Sequence, residues 1–129
     1  MSAMKRKTNV DVLVVEDDDF LGRALQAKFD LEGIPVRIAR DGDIALAEVR
    51  RKPPALILLD IMLPTGSGLD LLVTLRAEKQ FKDLPILVVS NLGQQEDIQS
   101  AKEKGANDYF VKADTPIGNI VEAVRQYLK

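Results

Sequence analysis

Five short apolar runs, at residues 10–15, 36–39, 55–59, 86–89 and 109–111, constrain what this chain can fold into more than any other feature. Most are leucine-rich or β-branched and do not alternate with polar residues. Such runs suit strands buried on both faces, as in a parallel sheet. The stretches between them carry helical spacing. Leu21, Leu25 and Phe29 share one face, as do Leu72 and Leu75. Ile117, Ile120, Val121, Val124 and Leu128 follow i, i+3, i+4, i+7 and i+11. Thr115 and Pro116 are placed to serve as N-cap and first residue of that last helix. Asp41-Gly42 opens the second helix, and Gly33 and Gly105 stand where C-terminal caps are expected. Five βα units imply an α/β three-layer sandwich with right-handed crossovers. The 129 residues leave room for one domain. Residues 1–9, with Lys5, Arg6 and Lys7, read as a short flexible basic head, and residues 10–129 as the domain.

Composition narrows the chemistry. The chain has neither cysteine nor histidine. That removes disulfides, thiolate or imidazole metal sites, Ser-His-Asp and Cys-His catalysis, and any phosphohistidine role. Carboxylates, lysines, hydroxyls and backbone remain. A net charge of −2 offers no electrostatic grip on nucleic acid or an anionic membrane. No apolar run approaches the ~20 residues of a membrane span, and no signal-peptide core follows the basic head. A cytoplasmic location is the default expectation.

In folds of this class the functional residues lie past the carboxyl ends of the strands. Glu16, Asp17, Asp18 and Asp19 follow the first run, Asp60 the third, Ser90 the fourth and Lys112 the fifth. With strand order 2-1-3-4-5 these side chains converge on one rim. Asp18 or Asp19 is best read as the N-cap of the first helix. A lone Asp after a strand is usually a turn residue, and a lone surface Lys is usually solvated. Three carboxylates from two adjacent strand ends are different, because unpaired they would repel one another. A hard divalent cation relieves this, and Mg²⁺ suits a few carboxylates plus waters. Such a site fits phosphoryl transfer to a carboxylate, giving an aspartyl phosphate. Lys112 would neutralise one phosphoryl oxygen, and the Ser90 hydroxyl would donate to another.

Four motifs then stand in order: Val-Val-Glu16-Asp17-Asp18, Asp60-Ile-Met-Leu-Pro64 followed by Gly68, Val-Val-Ser90, and Tyr109-Phe-Val-Lys112. In their identity and spacing the chain resembles the receiver domains of two-component response regulators, from about residue 10 to residue 128. The resemblance implies a flavodoxin-like (βα)5 fold with parallel sheet order 2-1-3-4-5. It implies that Asp60 is the phosphoacceptor and Asp17 a direct Mg²⁺ ligand. Glu16 would act mainly through water, and the backbone carbonyl of Met62 would complete the protein ligands. Ser90 and Tyr109 would form the hydroxyl–aromatic switch pair, and Met62 and Leu92 would flank the approach of a hydrolytic water. The implied function is a phosphorylation-dependent signalling switch of the stand-alone type, assisting its own phosphorylation but not an enzyme. Its donor would be a histidine kinase or a phosphotransfer protein, and its output a change of partner-binding surface toward an unidentified protein, or relay of the phosphate. It would be a monomer, or a weak dimer through the face of the fourth helix, fifth strand and fifth helix. In residues 95–104 only Ile98 and Ala101 are apolar, so the fourth helix is the expected moving part.

Two departures from the family pattern concern Ala113, where proline usually follows the lysine, and Asn91, where a small residue usually follows the switch hydroxyl. Without a proline the Lys112–Ala113 bond is expected to be trans, since cis would cost about 3–4 kcal/mol. Three other readings compete. Asp17 and Asp19 form the D-x-D of a haloacid-dehalogenase-like phosphatase, but that leaves Asp60 and its loop unexplained. A receiver-like interaction module without phosphorylation would not need the intact acidic set, Ser90 and Lys112. A mononucleotide-binding protein of the same fold lacks its Gly-rich loop after the first strand.

Overall fold

The computed structural model describes residues 11–129, so the basic head and Val10 lie outside the described residues. The five apolar runs become β1 (Val12–Val15), β2 (Val36–Ala39), β3 (Leu56–Leu59), β4 (Ile86–Ser90) and β5 (Asp108–Val111). All pair in parallel in one sheet ordered β2-β1-β3-β4-β5, as expected. The helices are α1 (Asp19–Leu31), α2 (Gly42–Arg51), α3 (Gly68–Ala77), α4 (Gln95–Glu103) and α5 (Ile117–Leu128).

Successive strand residues point to opposite faces, so each run feeds two cores. Val12, Val14, Leu56, Leu58, Leu87 and Val89 pack on Leu25 and Phe29 of α1 and on Ile120, Val121 and Val124 of α5. Leu13, Val15, Ile57, Leu59, Ile86 and Val88 pack on the other side, on Ala45 and Val49 of α2 and Leu71, Leu72 and Leu75 of α3. Each fully buried side chain of this size is worth about 1.5–3 kcal/mol. The central strands β1, β3 and β4 are buried throughout, which is why they read as unbroken apolar runs. The edge strands β2 and β5 are largely half-buried.

Local signals account for several helix ends. Asp18 caps α1, its carboxylate accepting from the Phe20 and Leu21 amides at 2.9 and 3.3 Å. Asp41 caps α2 through the Ile44 amide at 2.9 Å. Gly33 and Gly105 follow the C-caps of α1 and α4 at φ values of 74° and 113°. The start of α5 differs from expectation. Pro116 occupies the N-cap position, while Thr115 Oγ1 donates 2.9 Å back to the Val111 carbonyl. A single 3₁₀ turn, Lys112–Asp114, intervenes between β5 and Thr115 and claims that hydroxyl for its own closure. No cis peptide bond occurs among the described residues, so Lys112–Ala113 is trans, as expected. A two-residue hairpin, Met62–Leu63 against Gly66–Ser67, stands between β3 and α3. Its strands are too short to leave a periodicity in the sequence.

Candidate functional site

The register of the sheet builds the site. Val15 and Leu59 are partners at the ends of β1 and β3, and the Asp60 amide donates to the Val15 carbonyl at 3.0 Å. Glu16 and Asp60 therefore leave the sheet side by side. Both are buried, at 4% and 5% exposure, although carboxylates are rarely so placed unless paired. Half-buried Asp17 joins them, and one oxygen from each of Glu16, Asp17 and Asp60 lies within 4.8 Å of the others. Ser90 ends β4 opposite Val111 of β5, so Lys112 emerges one step beyond it on the same rim. Its ammonium reaches across to Glu16 Oε1 and Asp60 Oδ2, each at 2.9 Å.

The electrostatics follow from this packing. Burial pushes the Glu16 carboxyl above its ordinary value, and the Asp60 charge adds to the shift against the opposing hydrogen bond from Lys112. Burial also pulls on Lys112, but its bonds to Asp60 and Glu16 outweigh that and hold it above its usual range. Lys112 contacts two of the three clustered carboxylates, Glu16 and Asp60, so the cluster holds more acidic groups than its one ammonium partner can match. That excess, in oxygen donors on a partly open rim, fits a divalent cation such as Mg²⁺.

Backbone geometry holds the loop after Asp60. The Met62 amide donates to Asp60 Oδ1 at 3.2 Å, and the Gly68 amide donates to the Ile61 carbonyl at 2.7 Å. At Gly68 a Cβ would lie 2.1 Å from the Asp60 carbonyl oxygen, so only glycine permits the hairpin to return this close. Gly68 was legible as part of a motif, but the backbone approach that requires it was not.

Ser90 is fully buried, and its hydroxyl accepts from the Leu92 amide at 3.2 Å. Tyr109 is half-buried, and its hydroxyl donates to the Leu92 carbonyl at 2.5 Å. Both members of the expected switch pair thus engage the backbone of one residue in the β4–α4 loop. Burial raises the Tyr109 phenol above its ordinary value. Met62 is 58% exposed, whereas Leu92 is half-buried against the core. Asn91 and Ala113 are exposed. Asp18 and Asp19 stand apart from the cluster: Asp18 is the helix cap, and Asp19 forms an exposed ion pair with Arg40. Sequence reasoning missed the role of Thr115 in the turn after Lys112.

Fold and rim together define an α/β receiver. The response regulator receiver domain family matches residues 12–125, and the chain belongs to it. It is 35% identical over 105 residues to the phosphate regulon transcriptional regulatory protein PhoB of Klebsiella pneumoniae, covering 81% of this chain and 46% of PhoB. It is 38% identical over 103 residues to the probable transcriptional regulatory protein TcrX of Mycobacterium tuberculosis, covering 80% of this chain and 43% of TcrX. The chain thus spans less than half the length of these curated relatives. Among solved structures, the BeF3-activated N-terminal receiver domain of Klebsiella pneumoniae RstA superposes with a TM-score of 0.84 at 31% identity, covering 92% of this chain and 98% of that one. Among the described residues no helix is long and apolar enough to cross a membrane.

Proposed function

We propose that this receiver is a phosphorylation-dependent switch whose acceptor is Asp60. The observation that carries this is the meeting of Asp60 with Glu16, Asp17 and Lys112 at the carboxyl end of the sheet. A carboxylate oxygen of Asp60 attacks phosphorus. The new P–O bond forms as the donor's bond to phosphorus breaks, and the leaving group departs with that electron pair. Lys112, already at 2.9 Å from Asp60, neutralises charge on a phosphoryl oxygen. The Ser90 hydroxyl donates to another. Glu16, Asp17, Asp60 and the Met62 carbonyl are the residues that would hold Mg²⁺. When bound there, Mg²⁺ reduces the charge repulsion at phosphorus.

The donor is a histidine kinase or a phosphotransfer protein, consistent with membership of the family. The response leaves through the region around Ser90, Leu92 and Tyr109, toward the face of α4, β5 and α5, where a protein partner or a weak dimer would form. The phosphatase reading is disfavoured by Asp19, which pairs with Arg40 instead of facing Asp17. The test is uptake from a small phosphodonor with Mg²⁺. Wild type should be labelled and Asp60→Asn should not; full labelling of the variant would refute the assignment.

A further inference from the structure

The lysine that contacts the acceptor needs a rigid mount, because its ammonium must reach two buried carboxylates from the end of an edge strand. Here the mount lacks the rigid φ of proline, since Ala113 follows Lys112 and is exposed. The turn Lys112–Asp114 is a single 3₁₀ turn, and its closing bond from the Thr115 amide to the Lys112 carbonyl is long, at 3.4 Å. A 3₁₀ turn with so weak a bond has little stiffness of its own. What spans it is one side chain. Thr115 Oγ1 donates to the Val111 carbonyl at 2.9 Å, closing a loop from the residue before Lys112 to the residue after the turn. Both ends of that loop are anchored. Val111 pairs with Ser90 in the sheet, and Thr115 runs into Pro116, whose carbonyl accepts the Asn119 amide of α5 at 2.9 Å. The residue before a proline is itself confined to extended backbone, as Thr115 is at φ −126° and ψ 109°.

We infer that Thr115 is a positioning residue for phosphoryl transfer: its hydroxyl fixes the Lys112 turn and so places the Lys112 ammonium on Glu16 and Asp60. This rests on the reading of Asp60 as acceptor. It has a signature that general loosening does not. An ammonium held between Glu16 and Asp60 competes with a cation for the same carboxylates. Releasing it slows phosphoryl transfer yet leaves Mg²⁺ binding undiminished or tighter, whereas a damaged rim loses both.

The experiment compares wild type, Thr115→Val and Thr115→Ser. Phosphorylation rate is measured with a small phosphodonor and Mg²⁺, and Mg²⁺ affinity by calorimetric titration. Thr115→Val keeps the β-branched shape and removes the hydroxyl. It should be phosphorylated about three- to tenfold more slowly, the scale of one lost hydrogen bond, with Mg²⁺ affinity equal to or above wild type. Thr115→Ser should restore the wild-type rate. An unchanged rate in Thr115→Val overturns the inference, as does a slower rate accompanied by weaker Mg²⁺ binding, or failure of serine to restore the rate. A wild type that takes up no label overturns the reading of Asp60 and this inference with it. A labelled wild type with an equally fast Thr115→Val overturns this inference alone.

Discussion

The three consecutive aspartates that follow Glu16 do three different jobs, and the division is set by where the backbone turns. Asp17 joins Glu16 and Asp60, Asp18 caps α1, and Asp19 pairs with Arg40 on the surface. Two variants should separate these roles. Asp18→Ala should cost about 1 kcal/mol of stability, as loss of an N-cap does, with Mg²⁺ affinity retained. Asp17→Ala should lose Mg²⁺ affinity with little change in unfolding. Calorimetric titration and thermal melts of both proteins check this, and equal losses of affinity would mean the ligands are placed one residue off. Glu16 adds a pH dependence. Its folded-state value is raised by burial and by Asp60, so ionising it opposes folding. Its contribution is most favourable below the ordinary 4.5 and declines as pH rises through the raised value. In the presence of a chelator, wild type should lose stability relative to Glu16→Gln as pH climbs through that window. Melting curves of the two proteins at matched pH would show a constant difference if Glu16 were an ordinary carboxylate.

At the scale of elements, α4 is the weak member. Of its residues only Ala101 is buried, whereas α1 buries Gly22, Leu25 and Phe29, and α5 buries Ile120, Val121 and Val124. Its C-terminal end is nonetheless pinned. Arg76 of α3 donates to the Gly105 carbonyl at 3.0 and 2.8 Å and to Asn107 Oδ1 at 2.9 Å. At the other end the Gln94 amide donates to Asp97 Oδ2 at 3.2 Å and ties down the first turn, adjoining the loop that Ser90 and Tyr109 engage. An element with few buried contacts opens at low free-energy cost. Amide hydrogen exchange should therefore be faster in α4 than in α1 or α5, and equal protection would contradict its proposed low cost of opening. The apolar poverty of this helix was readable in residues 95–104, since only Ile98 and Ala101 could face a core. The Arg76 clamp was not, because it joins residues about thirty positions apart through backbone carbonyls that carry no sequence signal.

For the molecule as a whole, the sheet order is what turns scattered residues into a site. Placing β1 and β3 together brings Glu16 beside Asp60, and placing β5 beside β4 brings Lys112 within reach of both. That much was legible, because unbroken apolar runs mark central parallel strands and the polar residue after each run marks the rim. Two features were not. The hairpin at Met62–Ser67 is too short to show a period, and the loss of Thr115 as helix cap depends on a turn that only the three-dimensional path of Lys112–Asp114 reveals. The proposed phosphoacceptor, Asp60, is one carboxylate among several close neighbours at the rim. Peptide mapping of the protein after treatment with a small phosphodonor and Mg²⁺ tests this most directly. The phosphoryl group should be found on Asp60 alone; its appearance on Glu16, Asp17 or Asp19 would contradict the account.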